Sequence, residues 1–185
     1  TVYSYGVGRF SIVYQFFHHF VHEGDLYVFE AGQGLTKLVN GDLKLVPDGE
    51  FYENYTAWAV YPIGRDSLLF ASPIDGLTIY HDSTFTPWNI PASNFLKENR
   101  IYCGVKLRNG NFAFGTSGAG VVIMNKKGEI IQIFNNNNGL QNNVVLDMIL
   151  DRQGDLWVTL SNGISYIKLN SPFSYYTNSF NIPRQ

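Results

Sequence analysis

Gly34-Leu-Thr-Lys-Leu38, Gly76-Leu-Thr-Ile-Tyr80, Gly120-Val-Val-Ile-Met124 and Gly163-Ile-Ser-Tyr-Ile167 are four versions of one pentapeptide, spaced 42, 44 and 43 residues apart. A glycine that opens a short apolar run and returns with a period near 43 marks a β-propeller, in which each repeat supplies one four-stranded blade. The pentapeptides read as the third strand of each repeat. At a constant interval upstream lie Leu26-Tyr-Val28, Leu68-Leu-Phe70, Phe112-Ala-Phe114 and Leu156-Trp-Val158, runs of good β-formers that read as second strands. Each follows a turn built from Gly, Asn or Asp, the residues that tolerate the positive φ of a tight hairpin: Glu23-Gly24-Asp25, Gly64-Arg65-Asp66, Asn109-Gly110-Asn111 and Gln153-Gly154-Asp155. In the second repeat the turn glycine comes about two places early.

First strands precede those turns, at Phe17 to Val21, Ala57 to Tyr61, Tyr102 to Leu107 and Val144 to Leu150. Their small residues Ala57, Ala59 and Gly104 suit the crowded inner edge of a propeller. Fourth strands follow the pentapeptides at Leu43 to Val46, Phe85 to Trp88, Ile130 to Phe134 and Phe173 to Tyr176. The fold class is therefore all-β, with four antiparallel blades over about residues 11–46, 55–88, 101–134 and 144–177. Residues 1–6 fall in phase with the outer strand of a preceding blade. Because the last blade already carries its own outer strand, that phase favours an excerpt from a longer propeller over a closed ring of four.

Composition agrees and sets limits. Aromatic residues make up 16% of the 185, charged residues 15%, and there are 18 glycines with few long helical patterns, as expected for a β-rich chain with a substantial core. Apolar runs have strand length, short of the roughly 20 residues of a spanning helix, so no direct membrane insertion is expected. Thr1-Val-Tyr-Ser-Tyr5 lacks the basic start and apolar core of a signal peptide. A net charge of −2, with no basic stripe, argues against nucleic acid as a partner. The single cysteine, Cys103, falls on a predicted inner strand and reads as a small buried residue.

Residues that could carry catalysis are scattered. His18 and His19 point to opposite faces of a strand, and His18 and His22 stand about 13 Å apart along it, too far for one metal ion. Asp147 and Asp151 resemble paired carboxylates, but Asp151 opens a turn. The asparagine run 135–138 reads as a polar loop; it lacks the carboxylates that calcium requires. No nucleophile elbow, phosphate-binding glycine loop or Cys/His metal spacing is present. No cofactor, no metal and no catalytic residue is expected.

The last repeat carries a more specific signal. Asn138-Gly-Leu-Gln-Asn-Asn-Val-Val-Leu-Asp-Met-Ile-Leu-Asp-Arg-Gln-Gly-Asp-Leu-Trp-Val158, followed by Gly163-Ile164, resembles the two-component regulator propeller repeat. The matching residues are Gly139, Leu140, Asn143, Asp151 to Val158 and Gly163-Ile164. The other repeats keep the frame but carry Tyr27, Leu69 and Ala113 where the motif has Trp157. The resemblance implies a sensor region of a bacterial signal-transduction regulator of the Bacteroidetes type, extracytoplasmic and so periplasmic, and commonly responsive to glycan fragments.

A binding face can be argued from the repeat itself. In an up-and-down blade the first–second and third–fourth turns share one side, and both sets are short here. The connections from one blade to the next emerge on the other side and are long, about residues 47–55, 89–100 and 135–143, which concentrates variable chemistry on one rim. Tyr52, Tyr55, Lys97, Arg100 and Asn143 on those connections are the candidate ligand-binding residues, with Glu50 and Glu53 nearby in sequence. Trp58 and Trp157 lie within strands and read as packing between blades. The expected function is a non-catalytic sensor that takes a small-molecule or oligosaccharide ligand. Two alternatives stay open: a fragment of a propeller enzyme, a lyase or a glycan-cleaving one, and a structural or oligomerising scaffold. The expected protein partners are the remaining blades of the same protein and, in the scaffold reading, a second copy of the chain.

Overall fold

The computed structural model describes residues 16–169, so the outer strands expected at 1–6 and 173–176 lie outside the described residues. The fold is a β-propeller fold of four blades. Blade one contains β1 (Phe16–His22), β2 (Asp25–Glu30), β3 (Gly34–Val39) and β4 (Asp42–Leu45). Blade two contains β5 (Ala59–Pro62), β6 (Ser67–Ser72), β7 (Gly76–His81) and β8 (Thr84–Pro87). Blade three contains β9 (Ile101–Lys106), β10 (Phe112–Thr116), β11 (Val121–Met124) and β12 (Ile130–Phe134). Blade four shows β13 (Val145–Leu150), β14 (Leu156–Leu160) and β15 (Gly163–Ile167). Strands are ordered as in the chain within each sheet. The early glycine of the second repeat corresponds to a longer hairpin: Ile63 N–H bonds to the Ser67 carbonyl at 3.0 Å, spanning Gly64 to Asp66.

The repeated glycine has a steric cause. Gly34, Gly76 and Gly120 adopt φ of +105°, +77° and +81°, a region that favours glycine. At each of them the chain leaving the fourth strand crosses directly overhead. A Cβ on Gly34 would overlap the Gly49 carbonyl, one on Gly120 would overlap the Phe134 carbonyl, and one on Gly76 would fall 2.6 Å from the Ser93 carbonyl oxygen. In the first three blades the period near 43 therefore records the place where the chain leaving the fourth strand closes over the start of the third.

By internal contacts the chain divides into two compact units, Thr1–Ala57 with His81–Phe85, and Trp58–Tyr80 with Thr86–Gln185. Within the first, Tyr52 is fully buried and meets Phe29, Tyr55 and Phe85 edge-on at ring distances of 5.3, 5.4 and 5.1 Å. Asp48, at φ +56°, accepts the Phe85 N–H on its carboxylate at 2.6 Å. Within the second, the cores lie between successive sheets. Phe112, Phe114, Val122 and Met124 of blade three pack with Leu69, Ala71 and Leu77 of blade two. On the opposite face, Ala113, Val121 and Ile123 pack with Leu156, Val158 and Leu160 of blade four. Gly104 is required at the inner edge, because a Cβ there would lie 2.9 Å from the Ala59 methyl.

The connection 89–100, read from sequence as a loop, folds instead as α1 (Pro91–Glu98). Pro91 occupies the first turn, where its missing N–H costs nothing, and Ala92, Ser93 and Leu96 make a buried stripe at helical spacing. The Ser93 hydroxyl accepts the Leu77 N–H at 2.9 Å, which joins the helix to the start of β7. Residues 47–55 likewise hold a 3-10 turn, Gly49–Tyr52. Short amphipathic turns of this kind carry too few periods to stand out in a β-rich sequence.

Candidate functional site

The two sides of the blades differ as the repeat implies. The short-turn side is closed by backbone: Glu23-Gly24 and Asn40-Gly41 take paired positive φ values of 51° and 87°, and 53° and 93°, which suit two-residue hairpins. Cations on this side serve structure. Arg108 donates to the carbonyls of Asp151 and Arg152 at 3.2 and 2.5 Å, and the Lys106 ammonium donates to the Pro62 carbonyl at 2.5 Å.

The long-connection side is organised around the second–third turns. In blade three that turn, Ser117 to Gly120, is gripped from two directions. Ser117 N–H reaches the Asn99 and Arg100 carbonyls at 3.1 Å each, and Gly120 N–H reaches the Asn143 carbonyl at 3.0 Å. The end of α1 and the asparagine loop therefore flank one turn and share a surface. Asn143 also accepts the Asn136 N–H at 2.8 Å, and Asn138 Oδ1 accepts the Asn135 N–H at 2.6 Å while its amide donates to the Ile133 carbonyl at 2.7 Å. The asparagine run is thus a self-bonded loop whose side chains substitute for missing backbone partners.

The candidate residues separate on inspection. Tyr52 is corrected: with no exposed surface it belongs to the core of its unit, and an aromatic ring in a β-rich chain gives no sequence signal of which way it turns. Tyr55 is half-buried with its ring against Tyr52. Lys97 and Arg100 are exposed at the C-terminal end of α1, with Arg100 held at φ +52°. Asn143 is half-buried and committed to the loop bonds above.

The structure adds two aromatics that the sequence reading placed elsewhere. Trp58, just before β5, and Tyr102, on β9, lie 5.7 Å apart between ring centroids with planes only 14° from parallel. They are 37% and 46% exposed, so Trp58 packs against the next blade, as expected, and keeps part of its ring open. Strand alternation explains the exposure: Ile101 and Cys103 on either side of Tyr102 are buried. Leu146 occupies the equivalent place at the start of β13 and is 41% exposed. Trp58, Tyr102 and Leu146 recur every 44 residues, a register that a count on the repeat could have revealed. Each stands where the chain enters the inner strand from the long-connection side, and Tyr102 follows Arg100 by two residues.

Among the described residues there is no cluster of three or more His, Cys, Asp or Glu placed to hold a metal. His18 and His19 have ring centroids 6.0 Å apart; burial, then its neighbour's charge, lowers the His18 pKa. Burial, then the charge of Asp147, pushes the Cys103 thiol up to about 12 and keeps it protonated. Asp151 accepts the N–H groups of Gln153 and Asp155 at 2.8 and 3.0 Å. Desolvation raises its pKa, but those backbone bonds and the Tyr166 hydroxyl outweigh it and the net shift is downward. Tyr166 donates to Asp155 at 2.9 Å and to Asp151 at 3.3 Å, and these bonds, that to Asp155 first, help push its own pKa up to about 12. Asp151 braces the turn that it opens.

Solved structures of several propellers share this fold. The extracellular domain of a one-component system from B. thetaiotaomicron superposes with a TM-score of 0.61 at 18% identity, over 84% of this chain and 22% of that one. The extracellular domain of a hybrid two-component system from B. thetaiotaomicron gives 0.52 at 20% identity, over 79% of this chain and 19% of that one. Streptogramin B lyase gives 0.56 at 16% identity, over 80% and 48%. The chain thus spans about a fifth of the length of the regulator domains it matches. No family model matches it, and neither does any curated protein. The fold is shared across these proteins, and the regulator domains belong to the class of protein that the motif in blade four resembles.

Proposed function

We propose that the chain is a non-catalytic, ligand-recognising propeller segment of an extracytoplasmic sensor in a bacterial signal-transduction regulator, and that its ligand is an oligosaccharide bound on the long-connection side. The observation that carries this reading is the exposed, near-parallel Trp58–Tyr102 pair at the inner end of that side. Flat aromatic surface left open in a chain with a well-buried core marks a recognition surface. A pyranose ring offers the matching chemistry, an apolar face of C–H groups edged by hydroxyls. Arg100 and the loop amides supply donors and acceptors for those hydroxyls, with Tyr102 offering its own. The likeness of the fold to regulator extracellular domains supports a sensor, and a periplasmic location follows from the same reading. Function at this site needs no proton transfer, in keeping with carboxylates that are spent on turns.

The test is a thermal-shift screen of the chain against neutral and acidic oligosaccharides, followed by titration calorimetry on any that stabilise it. A stabilising glycan should lose at least tenfold in affinity with Trp58→Ala or Tyr102→Ala, a loss that corresponds to about 1.4 kcal/mol. The reading fails if no glycan stabilises the chain, or if both variants bind as the parent does. Hydrolysis or elimination of a glycan by the chain would replace the sensor with an enzyme.

A further inference from the structure

The chain holds four Asn-Gly pairs: Asn40-Gly41, Asn109-Gly110, Asn138-Gly139 and Asn162-Gly163. Because the second residue has no side chain, its amide nitrogen can approach the carboxamide carbon of the asparagine before it. Exposure does not separate the four, since every one of these asparagines is exposed. Their hydrogen bonds do. Asn138 is held at both ends of its carboxamide, accepting the Asn135 N–H at 2.6 Å and donating to the Ile133 carbonyl at 2.7 Å. Asn109 accepts the Asn111 N–H at 3.0 Å, and the Gly110 N–H donates to the Leu107 carbonyl at 2.8 Å. Gly163 stands in the β14–β15 ladder opposite Leu160, and the Ser161 N–H ties that turn to the Val144 carbonyl at 3.1 Å. At Asn40-Gly41, among the described residues, no bond holds the Asn40 carboxamide or the Gly41 N–H, and nothing lies within 4 Å of the place a Gly41 Cβ would take. Its hairpin also ends in an edge strand. β4 is the last strand of its sheet, four residues long with three of them exposed, so local opening there breaks few contacts, whereas β10 behind Asn109-Gly110 is buried at every residue.

We propose that Asn40-Gly41 is a site of spontaneous modification, at which Asn40 loses its amide and becomes aspartate or isoaspartate while the other three Asn-Gly pairs of the folded chain are protected. The reactants are the chain and water. The paired positive φ values of the turn, 53° and 93°, keep the two groups in hairpin geometry, so the step proceeds from the opened hairpin. There the Gly41 nitrogen gives its proton to hydroxide and attacks Asn40 Cγ; the N–Cγ bond forms, the Cγ–Nδ2 bond breaks, and ammonia leaves after taking a proton back from water. The product is a five-membered imide. Water then opens it at Cγ to give aspartate, or at the main-chain carbonyl carbon of Asn40 to give isoaspartate, with no change of oxidation state. Either product sets a new carboxylate two residues from Asp42. Isoaspartate also adds a methylene to the main chain between Val39 and Asp42, the pair that closes the β3–β4 register.

The experiment incubates the 185-residue chain at pH 8, folded in buffer and unfolded in guanidinium chloride, and follows the four asparagines by peptide mass spectrometry, with isoaspartate distinguished by enzymatic methyl transfer. Each site's rate in the unfolded chain is its own reference. The ratio of folded to unfolded rate should be highest at Asn40, by about tenfold or more over the other three, which corresponds to roughly 1.4 kcal/mol. Equal ratios at the four sites overturn the inference, as does a higher ratio at Asn109, Asn138 or Asn162. So does an Asn40 that stays intact in the folded chain while the unfolded chain converts.

Discussion

A single glycine decides most at the scale of the residue. Gly120 combines φ +81° with a carbonyl directly in the path of any Cβ, whereas Gly139, at φ +127°, has nothing within 4 Å of the same atom. Gly139→Ala should therefore cost only the conformational penalty of about 1 kcal/mol, and Gly120→Ala should cost roughly 3 kcal/mol or more because backbone must also move. Urea denaturation of the two variants separates these terms; equal losses would mean that crowding at Gly120 is relieved without cost. Cys103 offers a second check at this scale. With its thiol pushed up to about 12 by burial, it should resist alkylation by iodoacetamide at pH 8 in the native chain and react at once in urea. The sign for stability follows: the folded state favours the protonated thiol, so its contribution is intact below the thiol's ordinary pKa and declines as pH rises through that value toward about 12. Both residues were legible in the sequence, the glycine from its period and the cysteine from its place on an inner strand. Tyr52 was not, because residue type leaves open which aromatic turns inward.

Elements come next, and here the connections mattered most. The strands followed from alternation, turn glycines and β-formers, and the observed β2, β6, β10 and β14 each contain the expected tripeptide. Helix α1 was missed because eight residues give barely two turns, and its buried stripe of Ala92, Ser93 and Leu96 includes a polar residue. That serine is the link to the sheet. Ser93→Ala should cost about 1–3 kcal/mol, since it leaves the buried Leu77 N–H without the acceptor it has at 2.9 Å. If Ser93→Ala melts as the parent does, water or a shifted helix supplies the missing bond. The brace of blade four makes a comparable demand. Tyr166→Phe should destabilise the blade through loss of the bond to Asp155, and a fall of melting temperature by a few degrees would register it.

For the molecule as a whole, the repeat led to a propeller, and the extracellular domains of regulator systems that the motif in blade four resembles are among the structures that share the fold. The location of the proposed recognition surface was partly legible. Counting turn lengths identified the side with long connections, and Arg100 and Lys97 are exposed on it. The aromatic pair was not found, because stacking between Trp58 and Tyr102 joins residues 44 apart whose contact depends on how two sheets meet. The same dependence hid the open face of blade four: Trp157 reads in sequence as packing between blades and is 47% exposed. The most direct measurement is the two-dimensional NMR spectrum of the three indole N–H groups during titration with a glycan that stabilises the chain. The Trp58 resonance should shift in proportion to occupancy while those of Trp88 and Trp157 stay in place. Movement of Trp157 or Trp88 with Trp58 unchanged would put the ligand elsewhere and contradict recognition at the inner end of the long-connection side.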